Sequence, residues 1–448
     1  MDHNIYLKRK IYDKLLEWKR TSNGKTALLI EGARRVGKST IVEEFAKNEY
    51  KSYILIDFNN ASNDIKNLFI NERNDLDYIF QQLKLDAKKE LYERESVIIF
   101  DEVQKCPEAR SLIKYLVADG RYDYLETGSL ISIKENIEKI VIPSEEDSIN
   151  MYPLDFEEFC WALGDNITIP YIKEHFELKK PLGQSHSKIM KTFRIYTLVG
   201  GMPQAVIEYI KTKDFGATDE AKKRVLKIYE EDMRKSKNPL KTLTMYNIIP
   251  SELSKHSKTL SIGEVEMGAR NREYEEIIEW LKESKTVNVC YSSTDPNVAL
   301  ALTLDKNTYK IYNSDTGLLT TQAYRNKSYL DNKLYKAILS NELSVNEGMI
   351  MENFVAQTLI ANGYDLFFYK CDDRDNRENN MEIDFIIVQD EKLNPIEVKS
   401  GLYKKHTSID RFKKKFNKKV GTRYILHTKD LKVEGDIVYL PLYMAMFL

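Results

Sequence analysis

Residues Gly32-Ala33-Arg34-Arg35-Val36-Gly37-Lys38-Ser39-Thr40 combine two glycines, a lysine and two hydroxyls, and Gly32 to Ser39 satisfies the spacing G-x-x-x-x-G-K-[ST]. Such residues suit the holding of a polyphosphate. Gly32 and Gly37 permit backbone angles closed to residues with a Cβ, so successive N–H groups can turn inward around phosphate oxygens. They also add to the positive end of a following helix. Lys38 can bring an ammonium to the β- and γ-phosphates, and the Ser39 hydroxyl can ligate the Mg2+ that bridges them. Further on, Val97-Ile98-Ile99-Phe100 delivers the adjacent acids Asp101 and Glu102. Asp101 would hold Mg2+ through its water shell, and Glu102 would polarise an attacking water. Read alone, two acids after a strand make a solvated turn or a helix cap; the phosphate loop upstream is what favours catalysis, with Lys38 and Glu102 as the catalytic pair and ATP as the cofactor.

These groups need a scaffold that brings them to one edge. Thr26-Ala27-Leu28-Leu29-Ile30 reads as a buried strand and Ile41-Val42-Glu43-Glu44-Phe45-Ala46 as a helix, so the phosphate loop lies between strand and helix. Tyr53-Ile54-Leu55-Ile56-Asp57-Phe58-Asn59 and Tyr122-Asp123-Tyr124-Leu125-Glu126-Thr127-Gly128-Ser129 read as two more strands. A β-α-β-α-β-α-β order predicts a parallel sheet whose carboxyl ends gather the chemistry. Asn59, Thr127 and Ser129 fall on that edge, where each could sense a γ-phosphate or serve as an ordinary turn or cap residue.

A second cluster lies toward the C-terminus. Met381-Glu382-Ile383-Asp384-Phe385-Ile386-Ile387-Val388 and Pro395-Ile396-Glu397-Val398-Lys399 read as two strands, and period-two alternation puts Glu397 and Lys399 on one face. With Glu352 on the helix-like run Met351 to Ile360, and Glu347 as a substitute, the order and spacing resemble the PD-(D/E)xK nuclease core. The expected metal ligands are therefore Ser39 and Asp101 for the nucleotide's Mg2+, and Glu352, Asp384 and Glu397 for a hydrolytic metal with Lys399 alongside. The same residues could instead belong to a nuclease-like fold kept as a binding platform, or to a strand-to-strand ion pair.

Taken in order, the phosphate loop, Asp101-Glu102-Val103-Gln104, Thr127-Gly128-Ser129, Tyr152-Pro153-Leu154 with Phe156-Glu157-Glu158-Phe159, Gly200-Gly201-Met202-Pro203 and Asp315-Thr316-Gly317-Leu318-Leu319 resemble prokaryotic AAA+-like ATPases that carry a C-terminal nuclease-like domain. The resemblance spans nearly the whole chain. It implies an α/β fold comprising a P-loop NTPase parallel sheet at 1–155, a helical lid at 156–239, a winged-helix region at 240–325 and a PD-(D/E)xK nuclease-like domain at 326–448. It also implies an ATPase whose nucleotide state controls the nuclease-like module, or a switch whose inactive module binds protein partners.

Composition narrows the partners. The 448 residues carry a net charge of −1, so any contact with DNA or RNA must use a local patch such as Arg411-Phe412-Lys413-Lys414-Lys415-Phe416-Asn417-Lys418-Lys419. That run equally suits a solvated helix packed through Phe412 and Phe416. The expected recognition helix of the winged region, Arg270 to Leu281, carries four glutamates that would repel phosphate. Val287-Asn288-Val289 and Thr308-Tyr309-Lys310-Ile311-Tyr312 are its expected wings. The four cysteines, Cys106, Cys160, Cys290 and Cys371, lack C-x-x-C spacing. No apolar run reaches membrane-spanning length, and a cytoplasmic location is expected. The polar runs 143–148 and 372–380 read as loops, and Arg110 and Arg121 are candidates for an arginine finger by position alone.

Overall fold

The computed structural model describes residues 5–129, 144–255, 258–260, 271–325, 335, 347–373, 375–401 and 404–448. They fall into two compact units, one formed by 8–152 and the other by 1–7 with 153–448.

The first unit is a five-stranded parallel sheet of β1 (Ala27–Glu31), β2 (Ser52–Asp57), β3 (Ser96–Asp101), β4 (Asp123–Gly128) and β5 (Glu146–Asn150), in the order β2-β3-β4-β1-β5. All residues of β3 and β4 are buried, as central strands of a parallel sheet must be. Helix α1 (Ile11–Ser22) precedes the sheet, and crossover helices α2 (Lys38–Glu49), α3 (Asn63–Asn71), α4 (Leu76–Ala87) and α5 (Pro107–Asp119) connect its strands. Their limits follow from local chemistry. Ser62 and Asp75 accept the backbone N–H of Ile65 and Tyr78 to cap α3 and α4, while Pro107 opens α5 and Gly120, at φ 76°, ends it. Phe58, Phe69, Phe100 and Tyr124 pack edge to face or tilted in the core. Of the run 143–148 expected as a loop, Pro143 lies outside the described residues, and Glu146 to Asn150 form edge strand β5, whose half-exposed polar residues carry no apolar signature.

The second unit begins with helices, among them Phe156–Ala162, Gln184–Val199, Pro203–Thr212 and Phe215–Met233. Asp155 and Glu158 form a reciprocal capping box on the first of these. An eight-stranded mixed sheet follows, in the order β12-β13-β11-β10-β9-β8-β6-β7. Its strands are β6 (Val287–Ser293), β7 (Leu304–Asn313), β8 (Phe367–Cys371), β9 (Met381–Gln389), β10 (Lys392–Lys399), β11 (Arg423–His427), β12 (Lys432–Glu434) and β13 (Ile437–Pro441). The strands expected as wings are therefore β6 and β7, a hairpin that joins the C-terminal sheet through parallel pairing of β6 with β8. The expected boundary at 325/326 runs through one sheet.

The expected recognition helix, Asn271–Glu283 here, buries Tyr274, Ile277, Ile278 and Leu281 and exposes Glu275, Glu276 and Glu279. Arg270 lies outside the described residues. Three of the sequence motifs meet in one hub. Gly201 lacks the Cβ that would lie 2.0 Å from the Leu154 carbonyl oxygen, and Gly317 lacks one that would lie 2.5 Å from that of Val199. The Asp315 carboxylate accepts the N–H of Gly201 at 2.6 Å and of Leu318 at 2.9 Å, tying the Gly-Gly turn to the start of helix Thr316–Ala323.

Candidate functional site

The order of the first sheet decides who meets whom. Because β4 lies between β1 and β3, Thr127 at the end of β4 stands between the phosphate loop and Asp101. The Ser39 hydroxyl donates to Asp101 Oδ1 at 2.8 Å, and the Thr127 hydroxyl donates to the same oxygen. Thr127 Oγ1 also accepts the Glu102 N–H at 3.2 Å. Glu102 itself adopts a left-handed backbone, φ 54° and ψ 48°, a conformation that costs a residue with a Cβ and turns up at functional sites. The Gln104 amide donates to its carboxylate.

Within the loop, Gly37 has φ 102° as the N-cap of α2 and Arg35 has φ 68°. The Lys38 ammonium is buried and donates to the carbonyls of Gly32 at 2.8 Å and Ala33 at 3.0 Å. Burial pulls it below lysine's ordinary pKa, while the charges of Glu102 and Asp101 pull the other way. An anion beside this ammonium would relieve the burial penalty. Arg35, Ser39 and Thr40 are exposed, Arg34 is half-buried, and Ala33 and Val36 are buried. The residues present thus fit a Mg-nucleotide: a cradle opened by glycines, a buried ammonium, and the hydroxyl and carboxylate oxygens that a hard cation takes.

Neither positional candidate for an arginine finger is available. Arg110 is buried in a two-pronged pair with Glu146, at 3.0 and 2.7 Å. Arg121 is held by Asp119 and Asp77 at 2.7 and 2.6 Å.

In the second unit two of the nuclease-like residues, Glu352 and Asp384, lie around a lysine. Glu352, on helix Glu347–Ala361, is buried, and its carboxylate accepts from Tyr312 at 2.5 Å and pairs with Lys258 and, at 3.4 Å, Lys310. The fully buried Lys310 ammonium also lies 3.7 Å from Asp384 and 2.7 Å from Glu382. Burial would raise the Glu352 carboxyl, but the Lys310 and Lys258 charges outweigh it and hold the pKa low; burial and the Glu352 charge push Asp384 up. Asp384 accepts the Val398 N–H at 2.9 Å, and Glu397 pairs with Lys399 at 2.9 Å on β10.

Of the expected metal set, Glu352 and Asp384 both lie against Lys310, while Glu397 pairs with Lys399. Among the described residues no group of three or more His, Cys, Asp or Glu side chains is placed to hold a metal ion. The cation among Glu352, Glu382 and Asp384 is an ammonium of the chain itself. Sequence reading missed Lys310 and Tyr312, although period-two alternation along Thr308 to Tyr312 puts both on one face.

The basic run at 411–419 is engaged locally. Phe412 is buried, and Phe416 packs tilted against it and edge to face on Tyr369, while Arg411, Lys413, Lys415 and Lys419 donate to Asn380, Val420, Tyr369 and Pro296. Among the described residues no helix is long and apolar enough to cross a membrane.

Comparison with known proteins agrees with the first site. Residues 24–160 match the family model of an AAA domain. This part of the chain is thus similar to an AAA domain, and it has an α/β fold around its five-stranded parallel sheet. Residues 190–329 and 347–444 match two models described as domains of unknown function, DUF8612 and DUF4143. Among solved structures, the chain is similar to a Walker-type ATPase of Pyrococcus abyssi at 16% identity and TM-score 0.41, covering 71% of this chain and 96% of that one. It is also similar to the Aeropyrum pernix Orc1 protein in complex with DNA, at 10% identity and TM-score 0.31, covering 73% and 95%. For Cdc6p from Pyrobaculum aerophilum the values are 12% identity and TM-score 0.28, covering 76% and 97%. No curated protein matches.

Proposed function

We propose that the chain binds and hydrolyses Mg-ATP at the phosphate loop, and that its nucleotide state governs a second unit that engages protein partners. The convergence of Lys38, Ser39, Asp101, Thr127 and Glu102 at the carboxyl ends of β1, β3 and β4 carries the reading. The loop amides and Lys38 bind and orient the phosphates, and Ser39 and Asp101 hold the cation. Mg2+ supplies neutralisation of phosphate charge. Glu102 orients the attacking water as proton acceptor, its backbone fixed by Thr127 and its carboxylate by Gln104.

Calorimetry with Mg-ATP tests this. Lys38→Ala removes charge-assisted contacts worth about 1.5–3 kcal/mol and should weaken binding at least about tenfold. Glu102→Gln should bind ATP and release no phosphate. Equal affinity in wild type and Lys38→Ala would sink the assignment.

For the second unit, a partner-binding platform is favoured over a metal-dependent nuclease. Lys310 neutralises carboxylates that a metal would need, and two lysines of the basic helix, Lys413 and Lys415, are bonded within the fold. The exposed glutamates of helix Asn271–Glu283 disfavour a DNA or RNA backbone and suit a basic protein surface.

A further inference from the structure

The chain passes between its two units at Leu7–Lys8 and at Tyr152–Pro153. Buried Arg9 follows the first crossing closely and is bonded to the second: its guanidinium donates to the Tyr152 carbonyl at 2.5 Å and to the Val36 carbonyl, inside the phosphate loop, at 2.9 Å. A planar guanidinium can bridge two carbonyls in this way; an ammonium lacks the rigid fork. Met151 lies against the end of β1 and the first glycine of the same loop. Its N–H donates to Glu31 at 2.7 Å, and its carbonyl oxygen occupies the place of a Gly32 Cβ, which would lie 2.3 Å away. In this exit peptide, Met151 is thus tied to the end of β1 and packed against Gly32, and Tyr152 is tied through Arg9 to Val36 of the loop. Beyond this peptide, Pro153 has a ring-fixed φ. Leu154 is then pinned at both ends, its N–H to Gly201 at 2.7 Å and its carbonyl to the Tyr196 hydroxyl at 2.8 Å.

We propose that Met151–Tyr152 is a strut that passes occupancy of the phosphate loop to the Leu154–Gly201 hub, with Arg9 as the positioning residue that clamps it. The proposal rests on the nucleotide-binding reading and adds a route out of that site. A loop that tightens around phosphate moves the Glu31 carbonyl, Gly32 and the Val36 carbonyl together, and all three bear on the exit peptide.

Hydrogen exchange on the full chain, with and without Mg-ADP, tests it alongside a fluorescent-ADP titration. In wild type, Mg-ADP should slow exchange of the Met151, Tyr152, Leu154 and 199–201 amides by about fivefold or more, the scale of one net hydrogen bond. Arg9→Met should bind ADP within about threefold of wild type yet lose the slowing at 199–201. Arg9→Lys, which keeps the charge and can reach one carbonyl, should retain part of it and serves if Arg9→Met does not fold. Undiminished slowing at 199–201 in the Arg9 variants overturns the strut, as does a wild type that binds ADP with unchanged exchange there. A wild type that binds no ADP overturns the nucleotide reading and the strut together.

Discussion

At the scale of single residues, Lys310 separates two otherwise similar sites. In the first unit, Ser39 and Asp101 present oxygens that a divalent cation can share; in the second, the corresponding attraction is spent on an ammonium. Lys310→Met keeps the stem and removes the charge, leaving Glu352 buried with less compensation. It should cost about 3–5 kcal/mol in chemical denaturation of nucleotide-free protein. Mn2+ should then raise the melting temperature of the variant and leave wild type unchanged. A Mn2+-dependent rise in wild type that Asp384→Asn abolishes would restore the metal reading. His427 offers a second residue-level test. Burial, aided by the nearby His186 and Lys429 charges, lowers its pKa to about 4, and its Nδ1 accepts the Lys429 N–H at 2.8 Å. A folded pKa below the unfolded value near 6.5 means the unfolded chain binds the proton more readily. This contribution is fully present above pH 6.5 and is lost as the pH falls toward 4, on the order of 3 kcal/mol at most. His427→Asn, whose carbonyl can replace Nδ1 as acceptor, should flatten the loss of stability between pH 7 and 4.5; an unchanged slope would remove His427 as its source.

Among elements, the hub of Leu154, Gly200, Gly201, Asp315 and Gly317 explains motifs whose purpose the sequence left open. A methyl at Gly201 meets the Leu154 backbone at 2.0 Å, so the backbone itself must move. Gly201→Ala should destabilise the second unit by more than about 3 kcal/mol, at the exceptional end for a point substitution, while ATP affinity at Lys38 persists. A melting temperature within 2 °C of wild type, about 1 kcal/mol or less, would contradict this packing. What could be read beforehand divides by range. The phosphate loop and its flanking strand and helix were legible because glycines, lysine and hydroxyls sit within one local segment. The pairing of Glu397 with Lys399 was legible because alternation along β10 is local too. Lys310 was not, because its strand was assigned to a separate wing and nothing local shows that β6 pairs with β8. Edge strand β5 was missed for the opposite reason: its partner β1 supplies the pairing that its own polar side chains do not advertise.

For the whole molecule, the two arginines picked out by position as possible fingers, Arg110 and Arg121, are tied to carboxylates. Fingers supplied by another subunit can contribute about 10³–10⁵ in rate. We therefore expect ATP turnover per chain to be slow when dilute and to rise with protein concentration or an added partner. High turnover that stays constant on dilution while light scattering reports a monomer would contradict this.

The placement of β6 and β7 also bears on how a ribosome delivers this chain. Residues 8–152 form a contiguous block that can close as soon as it emerges. The hairpin Val287 to Asn313 must instead wait for Phe367 and its neighbours before β6 gains its inner partner. During that interval one side of β6 presents unpaired backbone groups, a template for pairing with another nascent chain. Slowing translation beyond Asn313 should thus lower the soluble yield more than the same slowing just beyond Tyr152, and a holding chaperone should act on the later window.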